Sequence, residues 1–146
     1  MSDFNTAIKD WLVKCPEIQA DKLFFNFLNT SDGCRSLVTV SEEISEDVVG
    51  NKLGKYTFAI VAFEAMAGMA LMYNADDISI AADFAKVNDW IREQDDIHNY
   101  PELDKGIVVD EIAVLPNPVF NGAANSEGVI MAKYTTQVTI NYVKFI

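Results

Sequence analysis

The sequence predicts an α+β domain: one mixed or antiparallel β-sheet with two helices packed against it, in the order α-β-β-β-α-β-β. Three observations carry this. Two segments space their apolar residues as helices do; several short runs are rich in β-branched and aromatic residues; and the last run alternates between two faces along its whole length. A chain of 146 residues, half of them hydrophobic and 23% charged, matches one folded domain spanning 1–146.

Phe4, Ile8, Trp11, Leu12 and Cys15 fall on one stripe of a helix read over 3–14, with Ser2 or Asp3 as the cap and Pro16 as the stop. KLFFNFLN, the turn-forming TSDG and RSLVTVS read as a hairpin. SEEISEDVVGNKLGK, acidic and with two glycines, reads as an exposed connection. From Tyr56 to Phe63 the run YTFAIVAF is apolar on both faces, as in a central strand.

AMAGMALMYN follows, where Met66, Met69 and Met72 recur every third residue as an irregular helical turn or a bent strand extension. Methionine adapts to ill-fitting neighbours, so this stretch fills the core or meets another subunit. The stretch Tyr56 to Asn74 is nearly uncharged, but Glu64 and its small residues make it a buried strand and turn rather than a membrane span.

The second helix, read over 79–97, is the clearest element. Ile80, Phe84, Val87 and Ile91 recur at helical spacing beside Ala81 and Ala85, with Asp76, Asp77 or Ser79 as the cap. Asp83, Lys86, Asn88, Asp89, Arg92 and Glu93 take the outer face, and HNYP ends the helix. IVVDEIAVL is a strand stopped by Pro116 and Pro118, and NPVFNGAANSEG, rich in Asn, Gly and Ala, reads as a long mobile loop. In the closing strand Tyr134, Thr136, Val138, Ile140 and Tyr142 share one face; Thr135, Gln137, Thr139, Asn141 and Val143 share the other.

The charge narrows the function classes. Asp and Glu number 22 against 11 Lys and Arg, a net charge of −11, and no basic cluster exists to track phosphates, so gripping nucleic acid is disfavoured. The acid excess serves solubility, or a surface that lies near DNA without adhering. Cys15 and Cys34 form no CxxC pair and signal neither zinc nor a disulfide framework. The first residues lack the basic start and apolar core of a secretory signal, which points to synthesis in the cytoplasm.

Chemistry-bearing motifs are absent. Gly50-Asn-Lys-Leu-Gly54-Lys55-Tyr56 has three residues between its glycines where a phosphate loop needs four, and Tyr where that loop needs a hydroxyl for magnesium. His98 is the lone histidine, placed where a helix C-terminus and nearby acids favour it. The acid pairs lack the apolar surroundings that would split their pKa values, and no GxSxG elbow occurs. The expectation is no enzyme, no metal and no cofactor.

ISIAADFAKVNDWIREQ, then YPELDKGIVVDEIAVLPNPVF, then KYTTQVTINYVKF resemble the second half of bacteriophage tail terminators, often labelled minor capsid proteins. The shared features are a helix ending in Trp90-Ile91, the turn Leu115-Pro116-Asn117-Pro118 and a final strand with Tyr134 and Tyr142. The resemblance covers Ile78–Ile146, and more loosely the initial helix and the strand from Tyr56; segments 42–55 and 65–73 match no family feature, so contractile and flexible tails both stay open.

The resemblance implies a structural virion protein of the tail neck, assembled in the bacterial host cytoplasm. It implies a homo-oligomeric ring, typically of six subunits, that caps the tail tube, stops its polymerisation and offers a docking face to the head connector. Partners would be further copies, the tail tube protein, sheath in a contractile tail, and head completion or connector proteins. Genomic DNA would pass through the acidic channel unbound, and no membrane is involved. Candidate subunit or tube contacts are Met66, Met69, Met72, Val119, Phe120, Asn121, Gly122 and Asn125. The alternatives are another neck component, or a small-molecule-binding or enzymatic α+β domain with a pocket under the 117–128 loop.

Overall fold

The computed structural model describes residues 4–18, 23–25, 35–65, 75–114, 119–126 and 129–146. It is α+β, with helices α1 (Asn5–Leu12) and α2 (Ala75–Asp96) and strands β1 (Leu23–Phe25), β2 (Arg35–Glu46), β3 (Lys52–Ala65), β4 (Ile107–Val114), β5 (Val119–Ser126) and β6 (Val129–Lys144). The sheet runs β1-β2-β3-β6-β4, and β5 also pairs with β6. All pairings are antiparallel except β1 with β2.

β6 organises the sheet. One side of it pairs with β3 from Lys52↔Lys144 to Ala65↔Met131. Its other side is shared: β4 takes the half from Val138 to Lys144, and β5 the half from Val129 to Thr135. The face read from the sequence as Tyr134, Thr136, Val138, Ile140 and Tyr142 is buried at every position, whereas the opposite row is half-buried or exposed. β3 is buried on both faces: Tyr56, Phe58, Ile60 and Ala62 on one, Thr57, Ala59 and Val61 on the other.

The helices lie over the first of these faces. α1 inserts Phe4, whose ring meets Tyr56 and Tyr142 edge-on at centroid separations of 5.5 and 5.3 Å, the geometry the aromatic quadrupole favours. Tyr56 is buried, yet its hydroxyl stays bonded: Thr39 Oγ1 lies at 2.9 Å, and Asn5 Oδ1 accepts from it at 3.5 Å. At the helix's other end Trp11 packs on Trp90 and donates its indole N–H to the Asn99 carbonyl at 2.8 Å. α2 buries Val87, Asn88, Ile91 and Gln94.

Several sequence readings change. The first helix begins later than expected and is capped at Phe4 without a side-chain bond; Ser2 and Asp3 lie outside the described residues. Asp76, Asp77 and Ser79 fall inside α2, placing two acids near the positive end of its dipole. Asn88 is buried, because the stripe of α2 that meets the sheet is wider than its apolar residues alone. The expected hairpin of the first two strands is a parallel pair, Leu23↔Arg35 to Phe25↔Leu37, which a tight turn cannot connect; TSDG is outside the described residues. Within the segment expected as a loop over 117–128, the described residues Val119–Ser126 form a strand, which raises the described strands after α2 from two to three. A bulge between Phe120 and Ala123 absorbs the Asn-Gly pair that breaks strand propensity.

Ile91 is fully buried against this face. Ile91→Ala leaves a cavity and lowers stability by roughly 2–5 kcal/mol, to be read from chemical denaturation as a drop in midpoint at unchanged slope.

Candidate interaction surface

The acidic segment expected as a connection is the far end of a long β2–β3 hairpin, held by pairs of opposite charge. Glu43 faces Lys55 and Glu46 faces Lys52 across the ladder, and Lys52 Nζ lies 2.8 Å from Glu46 Oε2. Both partners of that bridge are about half exposed, so it contributes more to register than to stability.

The turn is built by Asp47. Its Oδ1 accepts the Val49 N–H at 3.0 Å and the Asn51 N–H at 2.9 Å, and its Oδ2 accepts the Asn51 side-chain amide at 3.0 Å. Asp47 N–H returns to the Asn51 carbonyl at 3.0 Å, and Gly50, at φ 96°, takes the left-handed conformation that closes the loop. Desolvation raises the Asp47 carboxyl, but the bonds from the Asn51 side chain, Asn51 N–H, Val49 N–H and Gly50 outweigh it and hold the group below its ordinary value. The turn is thus fixed while Val48 stands fully exposed and Val49 largely so.

The last residues join this end. Asn51 Oδ1 accepts the Ile146 N–H at 3.1 Å, and the Gly106 carbonyl accepts the Phe145 N–H at 3.0 Å. Both side chains are exposed. Leu53, Val143 and Val108 sit directly opposite one another on β3, β6 and β4, a cross-strand apolar row with Leu53 and Val108 open to solvent. One end of the sheet therefore presents Val48, Val49, Leu53, Val108, Phe145 and Ile146 on a backbone held by hydrogen bonds. Such a display is what a surface built to meet another apolar surface requires.

Of the residues expected at contacts, those the structure describes lie on β5. Met66, Met69 and Met72 are outside the described residues. Val119, Phe120, Asn121, Gly122 and Asn125 all belong to β5, with Val119↔Thr135, Phe120↔Tyr134 and Asn125↔Ile130 in register and Asn121-Gly122 at the bulge. β6 separates β5's outer end from the apolar end by roughly 45 Å, at about 3.3 Å per residue. The sequence reading missed Val48 and Val49, whose signal was two β-branched residues framed by Asp47 and Gly50-Asn51 inside an acidic run.

Among the described residues, shallow depressions flank the apolar end and the α1 side. One, of about 380 Å³, lies beside the apolar end and sets Lys55 among Glu43, Asp110 and Asn141. The other, of about 200 Å³, is formed by Trp11, Lys14, Asn99, Tyr100 and the acids Asp10 and Glu102. Among the described residues no group of three or more His, Cys, Asp or Glu is placed to hold a metal ion, and no helix is long and apolar enough to cross a membrane. Cys15 is buried, and burial pushes its thiol up, away from the reactive thiolate.

His98 has a structural position. At φ 56° it follows the end of α2, where its N–H bonds the Asp95 carbonyl at 3.2 Å and the Asn99 N–H bonds the Gln94 carbonyl at 2.9 Å, the paired bonds of a Schellman cap. Tyr100 gives its one hydroxyl proton to Asp95 Oδ1 at 2.8 Å, so His98 Nδ1, 3.1 Å away, is the donor to the Tyr100 oxygen. Burial, then the Asp95 bond and charge, then Asp110 and Glu111, push the Tyr100 phenol up to about 12.

No protein-family model matches the chain, and no curated protein matches it.

The turn yields a pH prediction. A carboxyl depressed in the folded state contributes stability that is present above its ordinary value of 3.8 and is lost as pH falls through the lower folded value. Carboxyl NMR should place the Asp47 midpoint below 3.8, with protection of the Val49 and Asn51 amides disappearing at that same midpoint. Asp47→Ala should abolish that protection at every pH; a turn that stays protected in this variant would remove Asp47 from its role.

Proposed function

We propose that this chain is a structural subunit of a homo-oligomeric ring, a tail terminator that caps the head-proximal end of a bacteriophage tail tube, stops its growth and offers a face to the head connector. The observation that carries the assembly reading is the apolar end of the sheet. Val48 and Val49 on a fixed turn, beside Phe145 and Ile146, meet water at an energetic disadvantage of the order of 25 cal/mol per Å² of apolar surface, which a neighbouring molecule would relieve. The identity of the assembly rests on the resemblance of residues 78–146 to tail terminators, with which the α+β fold agrees. Activity in this reading is surface complementarity, with no reacting group.

The acidic balance supports the same reading. A ring of subunits each carrying −11 gives DNA no counterion-release gain, so the genome passes through without being held.

Native mass spectrometry and light scattering test the proposal. The purified chain should form a closed ring, alone or with tail tube subunits. Val48→Ser with Val49→Ser should change the stability of the subunit by no more than about 0.5 kcal/mol, since both side chains are exposed, while ring formation is lost. A chain that stays monomeric at high concentration and with tube subunits would sink the terminator reading. A ring unaffected by the double substitution would move the contact to another surface.

A further inference from the structure

An acid at the end of α2 needs a reason, because the negative pole of the helix dipole opposes it and the last turn carries no base. Asp95 has one in its contacts. Its Oδ1 accepts both the Tyr100 hydroxyl at 2.8 Å and the Ile112 N–H at 3.0 Å. Ile112 belongs to β4, the last strand of the path β1-β2-β3-β6-β4, and its amide points away from β6 toward the helix end. The Tyr100 hydroxyl also lies 3.5 Å from the carbonyl oxygen of Asp110, the residue bulged out of the β4–β6 ladder. A side chain thus occupies a donor on the side of β4 away from β6, the edge of the sheet among the described residues, and a ring stands against the neighbouring acceptor.

We infer that Asp95 is an edge guard: by taking the Ile112 amide and holding Tyr100 beside Asp110, it prevents β4 from pairing with β4 of a second copy of this chain. An edge strand presents ladder groups that any extended chain can complete, and two identical edges can complete each other antiparallel with no further surface. Filling the amide with a carboxylate makes pairing require the loss of a charge-assisted bond. The guard therefore directs self-association away from the hydrogen-bonding edge of β4. It stands independently of the ring, whose proposed contact is the apolar end.

The test compares Asp95→Ala with Asp95→Asn, which keeps an oxygen acceptor at the same position. In Asp95→Ala the Ile112 amide should exchange with solvent about tenfold faster or more, as expected for one lost charge-assisted bond. In about 0.5 M salt, where the screening length falls to a few ångströms and like-charged copies can approach, this variant should associate beyond the wild-type assembly. Ala113→Cys, added as a reporter on the exposed edge, should cross-link between copies in the Asp95→Ala background and not in the wild type. Asp95→Asn, which keeps the acceptor without its charge, should lie between the wild type and Asp95→Ala in both exchange and cross-linking. Should Asp95→Ala fail to fold, Tyr100→Phe, which removes the hydroxyl that orients the carboxylate, should show the same cross-link in weaker form. Unchanged Ile112 exchange, no cross-link in either variant, or equal association of the Asn and Ala variants would overturn the guard.

Discussion

The register of β6 is the constraint on which the rest of the fold depends. Side chains on a strand alternate, so a slip of one residue would turn Thr135, Gln137, Thr139 and Asn141 toward the helices and Tyr134, Val138, Ile140 and Tyr142 away from them. Gly54 fixes this register sterically. It lies opposite Tyr142, and a Cβ built on it would fall 2.0 Å from the Tyr142 ring, so the ring occupies the space that only glycine leaves. Slipped by one, Tyr142 would face Leu53 or Lys55, neither of which leaves that space. The same ring receives the edge of Phe4, and its hydroxyl donates to Glu42 Oε1 at 2.5 Å. One tyrosine joins β6, β3, β2 and α1.

The helices extend this constraint to the edge of the sheet. Phe4 anchors α1 at one end, and Trp11 anchors it at the other through Trp90 and the Asn99 carbonyl. Asn99 is held in turn by the Schellman bond to Gln94, at the price of a left-handed His98 where glycine would be unstrained. One residue later Tyr100 reaches Asp95, and Asp95 reaches Ile112 on β4. The lone histidine thus belongs to a chain of contacts running from the aromatic core to the outermost strand. A polar cluster of this kind positions elements, and it needs no substrate to explain it.

The sequence was most legible where one force dominated. The α2 stripe through Val87 and Ile91 and both rows of β6 follow from periodicity, because burial alone decides which side chains face the core. It was least legible where pairing overrides composition. Val119–Ser126 contains Asn, Gly and Ala, poor strand formers, yet the continuous strand β6 pairs with it along one side. Ser41–Glu46 and Lys52–Lys55 read as an exposed connection because the run is acidic and holds two glycines; their complementary signal, Glu43 with Lys55 and Glu46 with Lys52, appears only once a turn at 47–51 is assumed. The parallel β1–β2 pair left no local signal, since parallel and antiparallel strands have the same alternation. The apolar end was hidden for another reason: Val48, Val49, Leu53, Val108, Phe145 and Ile146 come from three distant segments, and none is periodic within its own.

Charge and apolar display have to be reconciled in any account of assembly. Copies carrying −11 repel one another at long range, yet physiological salt confines that repulsion to about 8 Å. Apolar attraction acts at contact. In the proposed ring, a free subunit would be kept dispersed by its charge until two surfaces met closely enough for burial to exceed the residual repulsion, which would favour a large, fitted contact over a small, casual one. Fixing the display serves the same end: the Asp47–Asn51 turn and the bonds to Phe145 and Ile146 order these residues before any partner arrives, so less conformational entropy is lost on contact. For the proposed assembly, an acidic body with a rigid apolar end would join selectively, because repulsion would reject poor fits that apolar contact alone would tolerate.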